Sequence, residues 1–373
     1  MAALFCLAAA GLSAQEGRAA AIAAAMDNSA LAAHVIMSGV DGSSRLGAEM
    51  GRIFRECPPG AVMLFRYNLN GPADTVRMFL DECRTVVEQA VRAASSTAVP
   101  PFFAVDHEGG QVHRFGPGIA RLPAAASWEE RAGQEGRAAA LAALEAAAYE
   151  SGKEIRGLGL NLSLAPVAEV LNNDNRSFLE DRSFSADAVF AADAAAAYIR
   201  GMERAGVGCV AKHFPGNSGA DPHKDAAVLA GSREELAQAV RPFAALIRDA
   251  SSGGPPLAGI MVSHALVPAW DPERIGSVSP VLINSWLRGD LGFRGIVLAD
   301  DFSMTAAASR VSPEEAAVLS LAAGADMVMA WPSGLRKLHR AILAALERGA
   351  LSRSRLEEAA ARIIAEKIRL GLL

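Results

Sequence analysis

Short apolar runs recur along the chain after about residue 30, and stretches rich in Ala, Glu and Arg with helical periodicity separate them. Eight runs are predicted strands: His34–Val40, Ala61–Phe65, Phe102–Val105, Leu160–Ala165, Val207–Ala211, Ala258–Val262, Gly295–Ala299 and Met327–Ala330. Helices are predicted between and after them, notably over Gly136–Gly157, Ala186–Gly206, Glu234–Asp249, Pro313–Gly324 and Leu356–Leu373. Uninterrupted apolar strands that alternate with helices indicate a parallel sheet covered by helices.

Polar and charged residues follow nearly every predicted strand. They are Asp106-His107-Glu108, Glu169, Lys212-His213, Ser263-His264 and Asp300-Asp301. In a closed barrel these strand ends meet on one face, whereas a doubly wound open sheet would spread them along an edge. We therefore predict a single-domain (β/α)8 TIM-type barrel over residues 15–373, with the open sheet as the structural alternative.

Composition narrows the class of partner. The 373 residues are 51% hydrophobic and 21% charged, as in a well-buried globular protein, and the formal net charge is −5. No basic tract is present, so we expect no nucleic-acid partner. No segment after the first residues is apolar enough to span a bilayer. A small neutral or mildly polar substrate suits this charge; the oligomeric state is not predicted.

The N-terminal residues and the four cysteines bear on localisation. Ala2 to Leu12 is apolar and of signal-peptide length, and Leu12-Ser13-Ala14 resembles a cleavage site, although no Lys or Arg precedes it. Residues 1–14 are thus a candidate signal peptide, which predicts a periplasmic or otherwise exported protein; the alternative is a cytoplasmic protein that begins with an Ala-rich helix. A disulfide between Cys57 and Cys83 would require export, whereas Cys209 is predicted to be a core residue.

Two segments carry acid–base candidates. Asp221 and His223 lie two residues apart in a loop rich in Pro and Gly, where the carboxylate could orient the imidazole as a general acid and base. The alternative is an ordinary turn with an exposed His. Asp300 and Asp301 follow an apolar strand, and strand alternation predicts that only one of them faces the barrel mouth. The other would cap a helix or be solvated.

Other polar residues are candidate substrate ligands. Lys212, His213 and Arg182 are predicted to donate hydrogen bonds to sugar hydroxyls, and an ion pair between Arg182 and its neighbour Asp181 is compatible with that role. Asp106 precedes glycines that would let a ligand approach the backbone. A metal site at His213, Asp221 and His223 is the alternative, but the spacing matches no zinc pattern, so we expect no cofactor.

Several segments together resemble the single-domain bacterial β-N-acetylhexosaminidases of glycoside hydrolase family 3. The resemblance extends from about residue 34 to the end of the chain. Its motifs are Val105 to Arg114, Leu164 to Glu169, Asp181 to Phe184, Lys212 to His223 and Leu298 to Met304. Together they are highly specific, whereas any one of them would be weak.

The resemblance implies a barrel and a retaining exo-β-N-acetylhexosaminidase that acts on peptidoglycan fragments, that is, on a small carbohydrate or muropeptide, without a cofactor. It implies Asp300 as the nucleophile and His223, paired with Asp221, as the acid/base. Asp106, Arg182, Lys212 and His213 would bind the sugar. A β-glucosidase or phosphorylase on the same scaffold, and a non-catalytic sugar-binding protein, are the alternatives.

The sequence departs from the family pattern in the Asp221–His223 loop and at Gln111. Gln111 stands where the family usually has Arg, which puts one contact to the sugar in doubt. Asn217 replaces a His, Pro222 replaces a Ser, and the loop before Asp221 is two residues shorter than the pattern. These changes bear on substrate detail more than on chemistry, because Asp221, His223 and Asp300 are retained.

Overall fold

A computed structural model describes residues 2–94, 97–116, 118–217, 227–303 and 311–373 of the chain. Its main sheet has eight parallel strands in the order β10-β1-β2-β3-β4-β5-β6-β9, and β7 and β8 form a separate antiparallel pair. The strands are β1 Ile36–Gly39, β2 Ala61–Leu64, β3 Phe102–Val105, β4 Leu162–Ser163, β5 Gly208–Phe214, β6 Gly259–Val262, β7 Leu266–Val267, β8 Asp271–Ile275, β9 Ile296–Ala299 and β10 Val328–Ala330. Each of the eight predicted strands overlaps one strand of the main sheet, and the hairpin of β7 and β8 was not predicted.

Helices connect the strands and surround the sheet. The α-helices are Ala2–Ala25, Asn28–His34, Ala48–Glu56, Arg66–Leu69, Ala73–Ala94, Ser127–Glu135, Arg137–Leu158, Arg176–Leu179, Ala188–Arg204, Arg233–Ala239, Arg241–Ser251, Pro313–Ala323, Leu335–Glu347 and Arg353–Arg369. Short 3-10 helices span Glu180–Arg182, Gly276–Val278 and Pro332–Gly334, and a π-helix spans Val281–Asp290. Such alternation buries both faces of the parallel strands, whose residues are nearly all apolar.

The two ends of the strand order meet, so the sheet is a nearly closed barrel. A parallel bridge joins Leu298 to Met327, and the Ala299 N–H donates to the Met327 carbonyl at 3.0 Å. Next to this seam the buried carboxylate of Asp326 accepts hydrogen bonds from Arg288 at 2.6 Å and from Arg355 at 2.7 Å. The prediction of a (β/α)8 barrel is confirmed, and the open sheet is excluded because the edge strands of the order pair with each other.

Local sequence signals explain where the helices begin and end. Ser312 caps the helix Pro313–Ala323 by accepting a hydrogen bond from the Glu315 N–H, and Gly324 ends it with φ 116°. The predicted helix Glu234–Asp249 is instead two helices that meet at Val240. Pro242 explains the break, because its nitrogen has no proton to donate to the preceding turn.

Strand β5 is longer than predicted. It extends through Phe214, which pairs with Val262 of β6, and the Lys212 N–H donates to the Pro166 carbonyl at 2.9 Å. Lys212 and His213 therefore lie within the strand and not in a loop after it. This places both side chains on rigid backbone at the end of the barrel.

The first helix, Ala2–Ala25, packs along the helix Arg353–Arg369. Ala19 and Ala23 are fully buried there, and Arg353 donates to the Met26 carbonyl at 2.7 Å. In the described part of the chain, no helix combines the length and hydropathy needed to cross a bilayer. Removal of residues 1–14 remains a prediction.

The three cysteines whose side chains the structure describes, Cys57, Cys83 and Cys209, are buried as free thiols. Cys57 and Cys83 are free thiols, so the disulfide considered for an exported protein is not formed. Burial raises the pKa of Cys57 to about 11 and that of Cys83 to about 12. Cys209 lies in β5 with no exposed surface, as predicted for a core residue.

Candidate active site

A cleft of about 430 Å³ opens at the carboxyl ends of the barrel strands. Its lining residues are Met63, Phe65, Asp106, Glu108, Val112, Arg114, Leu164, Phe178, Arg182, Lys212, His213, Asn217, Met261, Asp300, Asp301, Ser303, Met329 and Trp331. Five residues predicted from the sequence to be functional border this one cleft: Asp106, Arg182, Lys212, His213 and Asp300. This is the face on which barrel enzymes carry their active sites.

A network of charged side chains forms one wall of the cleft. The ammonium of Lys212 lies 2.7 Å from Asp106 Oδ1 and 2.7 Å from Glu108 Oε1. Arg182 donates two parallel hydrogen bonds to Glu108, at 2.7 and 3.0 Å, and Arg114 contacts Asp106 at 3.1 Å. Such bidentate, charge-assisted bonds hold the guanidinium and ammonium groups in one orientation.

Burial and opposite charge act against each other in this network. Burial opposes ionisation of Glu108, but Lys212 and Arg182 outweigh it and hold the pKa of Glu108 well below its usual range. The balance is the same at Asp106, where burial is outweighed mainly by Lys212 and the pKa is lowered. The carboxylates in turn raise the pKa of Lys212 despite its burial. The wall therefore presents fixed positive donors and negative acceptors that suit sugar hydroxyls.

His213 is held by Glu169, which follows β4. The Nδ1 atom of His213 lies 2.7 Å from Glu169 Oε1, while the Asn217 N–H donates to Glu169 Oε2 at 2.6 Å. The Asn217 side chain also donates to Glu169, at 3.2 Å. Asn217, one of the departures from the family pattern, thus helps to anchor the carboxylate that orients His213.

Asp300 and Asp301 both border the cleft, so the prediction that only one faces the mouth is wrong. Strand β9 ends at Ala299, and the alternation of strand side chains does not continue beyond it. Asp300 Oδ1 accepts from the Asp301 N–H at 2.8 Å. The carboxylate of Asp301 is engaged by the Ser303 hydroxyl at 2.7 Å and by the Trp331 indole N–H at 2.9 Å. Within the part of the chain that the structure describes, the bond from the Asp301 N–H is the one hydrogen bond of the Asp300 side chain, which makes Asp300 the more available of the two carboxylates.

His264 forms a hydrogen bond with the backbone carbonyl of Asp301. The Nε2 atom of His264 lies 3.0 Å from the Asp301 carbonyl, and its Nδ1 atom lies 2.7 Å from the Ser277 hydroxyl. Because a carbonyl only accepts, these contacts require the proton on Nε2 and a hydroxyl donating to Nδ1. Burial lowers the pKa of His264, which favours this neutral form.

Asp221 and His223 lie outside the described residues. Their proposed pairing and their position relative to Asp300 remain predictions. Among the residues that the structure does describe, no cluster of three or more His, Cys, Asp or Glu side chains could hold a metal ion.

Sequence reasoning missed the roles of Glu108, Arg114 and Glu169. Glu108 and Arg114 lie in the same recognised segment as Asp106, and Glu169 follows a predicted strand, so their positions were signals that could have been used. Arg182 pairs with Glu108 and not with its neighbour Asp181, whose carboxylate accepts a hydrogen bond from Gln111 at 2.8 Å. Gln111 also donates to Glu180 at 2.9 Å and is not one of the residues that line the cleft.

The glycines after Glu108 serve packing in this structure. Gly109 has φ 89°, and a Cβ there would lie 2.3 Å from the Pro123 carbonyl oxygen. Gly110 has φ 53°, and a Cβ there would lie 2.8 Å from the Ala124 side chain. At both positions a side chain would clash with a neighbouring loop, whereas the approach of a ligand to this backbone remains a prediction.

The sequence model described as "Glycosyl hydrolase family 3 N terminal domain" matches residues 48–365. The chain belongs to glycosyl hydrolase family 3. Its class of chemistry is accordingly the hydrolysis of glycosidic bonds, and the cleft described above is the family 3 candidate active site.

Individual relatives agree with the family. The chain is 34% identical over 291 residues to a protein of Methylococcus capsulatus named "Beta-hexosaminidase", covering 76% of this chain and 79% of that protein. It is 35% identical over 252 residues to a protein of the same name from Stenotrophomonas maltophilia, covering 66% and 70%.

Solved structures of the family have the same fold. A glycoside hydrolase family 3 β-N-acetylglucosaminidase from Paenibacillus sp. superposes with a TM-score of 0.82 at 27% identity, covering 93% of this chain. This chain spans only 63% of that protein's length. A β-N-acetylhexosaminidase from Beutenbergia cavernae superposes with a TM-score of 0.78 at 26% identity, covering 92% of this chain and 98% of the other.

Proposed function

We propose that the protein is a retaining exo-β-N-acetylhexosaminidase that releases terminal β-N-acetylglucosamine from peptidoglycan fragments. One observation carries the proposal: the available carboxylate of Asp300 borders the same cleft as the Asp106–Glu108–Lys212–Arg182 network. A glycosidase that retains configuration needs a carboxylate at the anomeric carbon and fixed donors that orient the sugar. Relatives named β-hexosaminidase support the preference for an N-acetylated sugar.

The proposed reaction has two displacements. In the first, an oxygen of Asp300 attacks the anomeric carbon while His223 gives its proton to the departing glycosidic oxygen, which breaks the C–O bond. In the second, His223 takes a proton from water, and the resulting hydroxide attacks the same carbon and releases Asp300. The sugar leaves with its original configuration, and each group returns to its starting protonation state.

Lys212, Arg182 and Asp106 would hold the sugar during both displacements. Lys212 and Arg182 are fixed by Glu108, so their orientation costs little entropy when substrate binds. Asp106 keeps carboxylate oxygens that can accept hydrogen bonds from sugar hydroxyls. His213, anchored by Glu169, would contribute its other ring nitrogen, Nε2.

Product analysis by ¹H NMR tests the proposal. With a defined muropeptide that ends in β-N-acetylglucosamine, the first product is expected to be free N-acetylglucosamine in the β configuration. The α anomer would contradict the retaining mechanism. Release of glucose but not N-acetylglucosamine from matched glycosides would contradict the sugar preference, and a sugar phosphate formed only with added phosphate would indicate a phosphorylase.

The acid role of His223 is tested by leaving-group dependence. His223→Ala is expected to slow the hydrolysis of poor leaving groups, such as alkyl glycosides, far more than that of an activated dinitrophenyl glycoside, because only a poor leaving group needs a proton. Equal slowing of both substrates would argue against an acid role.

Export is part of the proposal, because peptidoglycan fragments arise at the cell envelope. N-terminal sequencing of the mature protein is expected to begin at Gln15, and recovery from the periplasm would accompany it. A mature protein that retains residues 1–14 in the cytoplasm would support the alternative localisation.

A further inference from the structure

Two aromatic rings at the rim of the cleft, Phe65 and Trp331, stack on each other, and Tyr67 extends the stack beyond the lining of the cleft. The rings of Phe65 and Trp331 lie 4.9 Å apart with their planes 8° from parallel, and Tyr67 continues the stack 5.7 Å from Phe65 at 13°. Trp331 is 43% exposed and Tyr67 is 47% exposed, although rings of this size are usually buried in a protein of this kind. We call these three residues the aromatic stack.

The indole of Trp331 is held in place. Its N–H lies 2.9 Å from Asp301 Oδ2 and 2.7 Å from the Ser303 hydroxyl, and these two groups are themselves hydrogen bonded at 2.7 Å. Since the indole N–H is already engaged, only the ring remains to bind a ligand. Asp301 takes no part in the proposed chemistry. Its carboxylate instead positions the indole of Trp331.

The aromatic stack adjoins the charged wall on one side only. Phe65 follows β2, the neighbour of β3, at whose end Asp106 lies, whereas Trp331 follows β10, which is three strands away from both β3 and β5 around the barrel. Asp300 follows β9, which is the neighbour of β10, so the nucleophile stands beside the aromatic stack. Both Trp331 and Phe65 line the same cleft as Asp300.

The exposed fractions of the lining side chains distinguish an inner and an outer end of the cleft. The side chains of Lys212 and Glu108 are only 4% and 3% exposed, so the charged wall is the inner end. Trp331, at 43%, lies at the outer end. An enzyme that removes a terminal sugar holds that sugar in the inner end, and the leaving group then extends outward past Asp300 to the rim.

We propose that the aromatic stack is the leaving-group subsite and binds the first pyranose ring of the aglycone on the face of Trp331. This inference rests on the proposed function. A pyranose carries C–H groups on its faces and hydroxyls at its edge, which suits an aromatic surface whose own donor is occupied. The carboxylates of Asp300 and Asp301 beside the ring favour a neutral sugar over an anionic group at this position.

The proposal predicts a loss that depends on the leaving group. Trp331→Ala is expected to lower kcat/KM for N,N′-diacetylchitobiose by about tenfold, because the stacking contact is lost. For methyl β-N-acetylglucosaminide, whose leaving group has no ring, the fall should not exceed about twofold. Trp331→Phe retains a ring and should recover most of the loss with the disaccharide.

Controls distinguish binding from an indirect effect on Asp300. An equal fall with both substrates would overturn the proposal, since it would mean that Trp331 acts through Asp301 on the nucleophile. No fall with either substrate would overturn it too. Met78→Ala removes another large exposed apolar side chain, on the helix Ala73–Ala94 away from the cleft, and should change neither rate.

A binding measurement separates this inference from the proposed function. In an Asp300→Ala background, Trp331→Ala is expected to weaken binding of the disaccharide about tenfold and to leave binding of free N-acetylglucosamine within about twofold. Should the wild-type protein hydrolyse no β-N-acetylglucosaminide, the proposed function fails, while this titration still decides whether the aromatic stack binds a second ring. Equal binding of the disaccharide with and without Trp331 would exclude it.

Discussion

The two ends of the barrel both bury charged groups, but they do so in different ways. At the carboxyl ends of the strands, Lys212, Arg182, Asp106 and Glu108 pair with one another and still border an open cleft. At the amino ends, the carboxylate of Asp326 is fully buried and enclosed by three guanidinium groups and the Val297 N–H. The first arrangement leaves hydrogen-bonding capacity for a substrate, whereas the second uses its capacity to join elements of the fold.

A buried lysine at the amino ends, Lys367, shows the same difference between the two ends of the barrel. Lys367 is fully buried, with its Nζ atom 3.3 Å from His34 Nε2 and 5.2 Å from the centre of the Phe102 ring. Burial lowers the pKa of Lys367 well below its ordinary value, whereas at the carboxyl ends the carboxylates raise that of Lys212. Two buried lysines thus differ because, among the described residues, only Lys212 has acidic partners.

The largest expected effect concerns the carboxyl ends. Asp300→Ala should lower kcat by roughly 10⁴-fold or more, because the variant lacks the proposed nucleophile and with it the proposed covalent route. Asp301→Ala should lose far less, since its carboxylate is engaged by Ser303 and Trp331. Steady-state kinetics with an aryl β-N-acetylglucosaminide and thermal unfolding of both variants check this. If Asp301→Ala were the inactive variant, the roles of the two residues would have to be exchanged.

At the amino ends the expected loss is in stability and not in chemistry. Asp326→Ala leaves Arg288, Arg355 and Arg362 without their shared carboxylate and should reduce the free energy of unfolding by about 3–5 kcal/mol. Asp193→Ala breaks an exposed pair with Arg137 and should cost no more than about 1 kcal/mol. Denaturant unfolding measures both. Similar losses for the two variants would contradict the structural role given to Asp326.

Glu108→Gln tests whether the charged wall serves both binding and stability. Without the negative charge of Glu108, Lys212 and Arg182 lose their fixed orientation. The value of kcat/KM should then fall by about 10²-fold. Because the folded-state pKa of Glu108 is depressed, its stabilisation is present above about pH 4.3, the pKa of an unfolded Glu, and is lost as pH falls below that value. The variant's stability deficit should therefore be greatest near pH 7 and shrink towards pH 3.

Denaturant unfolding between pH 3 and pH 7 checks this dependence. Glu150→Gln is the matched control, because Glu150 is exposed and its partner among the described residues is Lys153 on the same helix. A deficit in Glu108→Gln that stays constant with pH would mean that packing, and not charge, accounts for its contribution.

The smallest effect has the opposite sign. Lys367→Met replaces a buried amine that has no acidic partner in the described part of the chain, and it should increase the free energy of unfolding by about 1–3 kcal/mol at pH 7. The pKa of Lys367 is lowered in the folded state, whereas an unfolded Lys has a pKa of about 10.4. Below that pH the unfolded chain binds a proton that the folded protein binds less readily, so Lys367 destabilises the folded state increasingly as pH falls. The gain in Lys367→Met should therefore diminish towards pH 10; a gain that is absent at every pH would contradict this account of the burial.

Much of the fold was predictable because its signals are local. Each apolar run was predicted to within a few residues, and the rule that strand ends meet on one face correctly grouped Asp106, Lys212, His213 and Asp300 around one cleft. The errors occurred where contacts distant in sequence decide the outcome. Pairing with β6 extends β5 through Phe214, and the end of β9 at Ala299 allows both Asp300 and Asp301 to border the cleft.

The site was predicted less completely than the fold. Glu108 pairs with Lys212 and Arg182, which lie 104 and 74 positions away, and no spacing rule connects residues so far apart. Trp331 is a candidate substrate-binding residue only because the tertiary structure places its ring against Phe65 and beside Asp301. The pairing of Asp221 with His223 was predicted from two-residue spacing and lies outside the described residues.

Periodicity and motif spacing by themselves determined that this chain forms a barrel of alternating strands and helices and that it resembles family 3 glycoside hydrolases, because hydrophobic period and turn chemistry are properties of neighbouring residues. Only the tertiary structure decided which charges neutralise one another, which carboxylate after β9 remains available and which rings stand at the rim. Those outcomes depend on side chains brought together from different strands, where distance and burial, and not order along the chain, set the strength of each interaction.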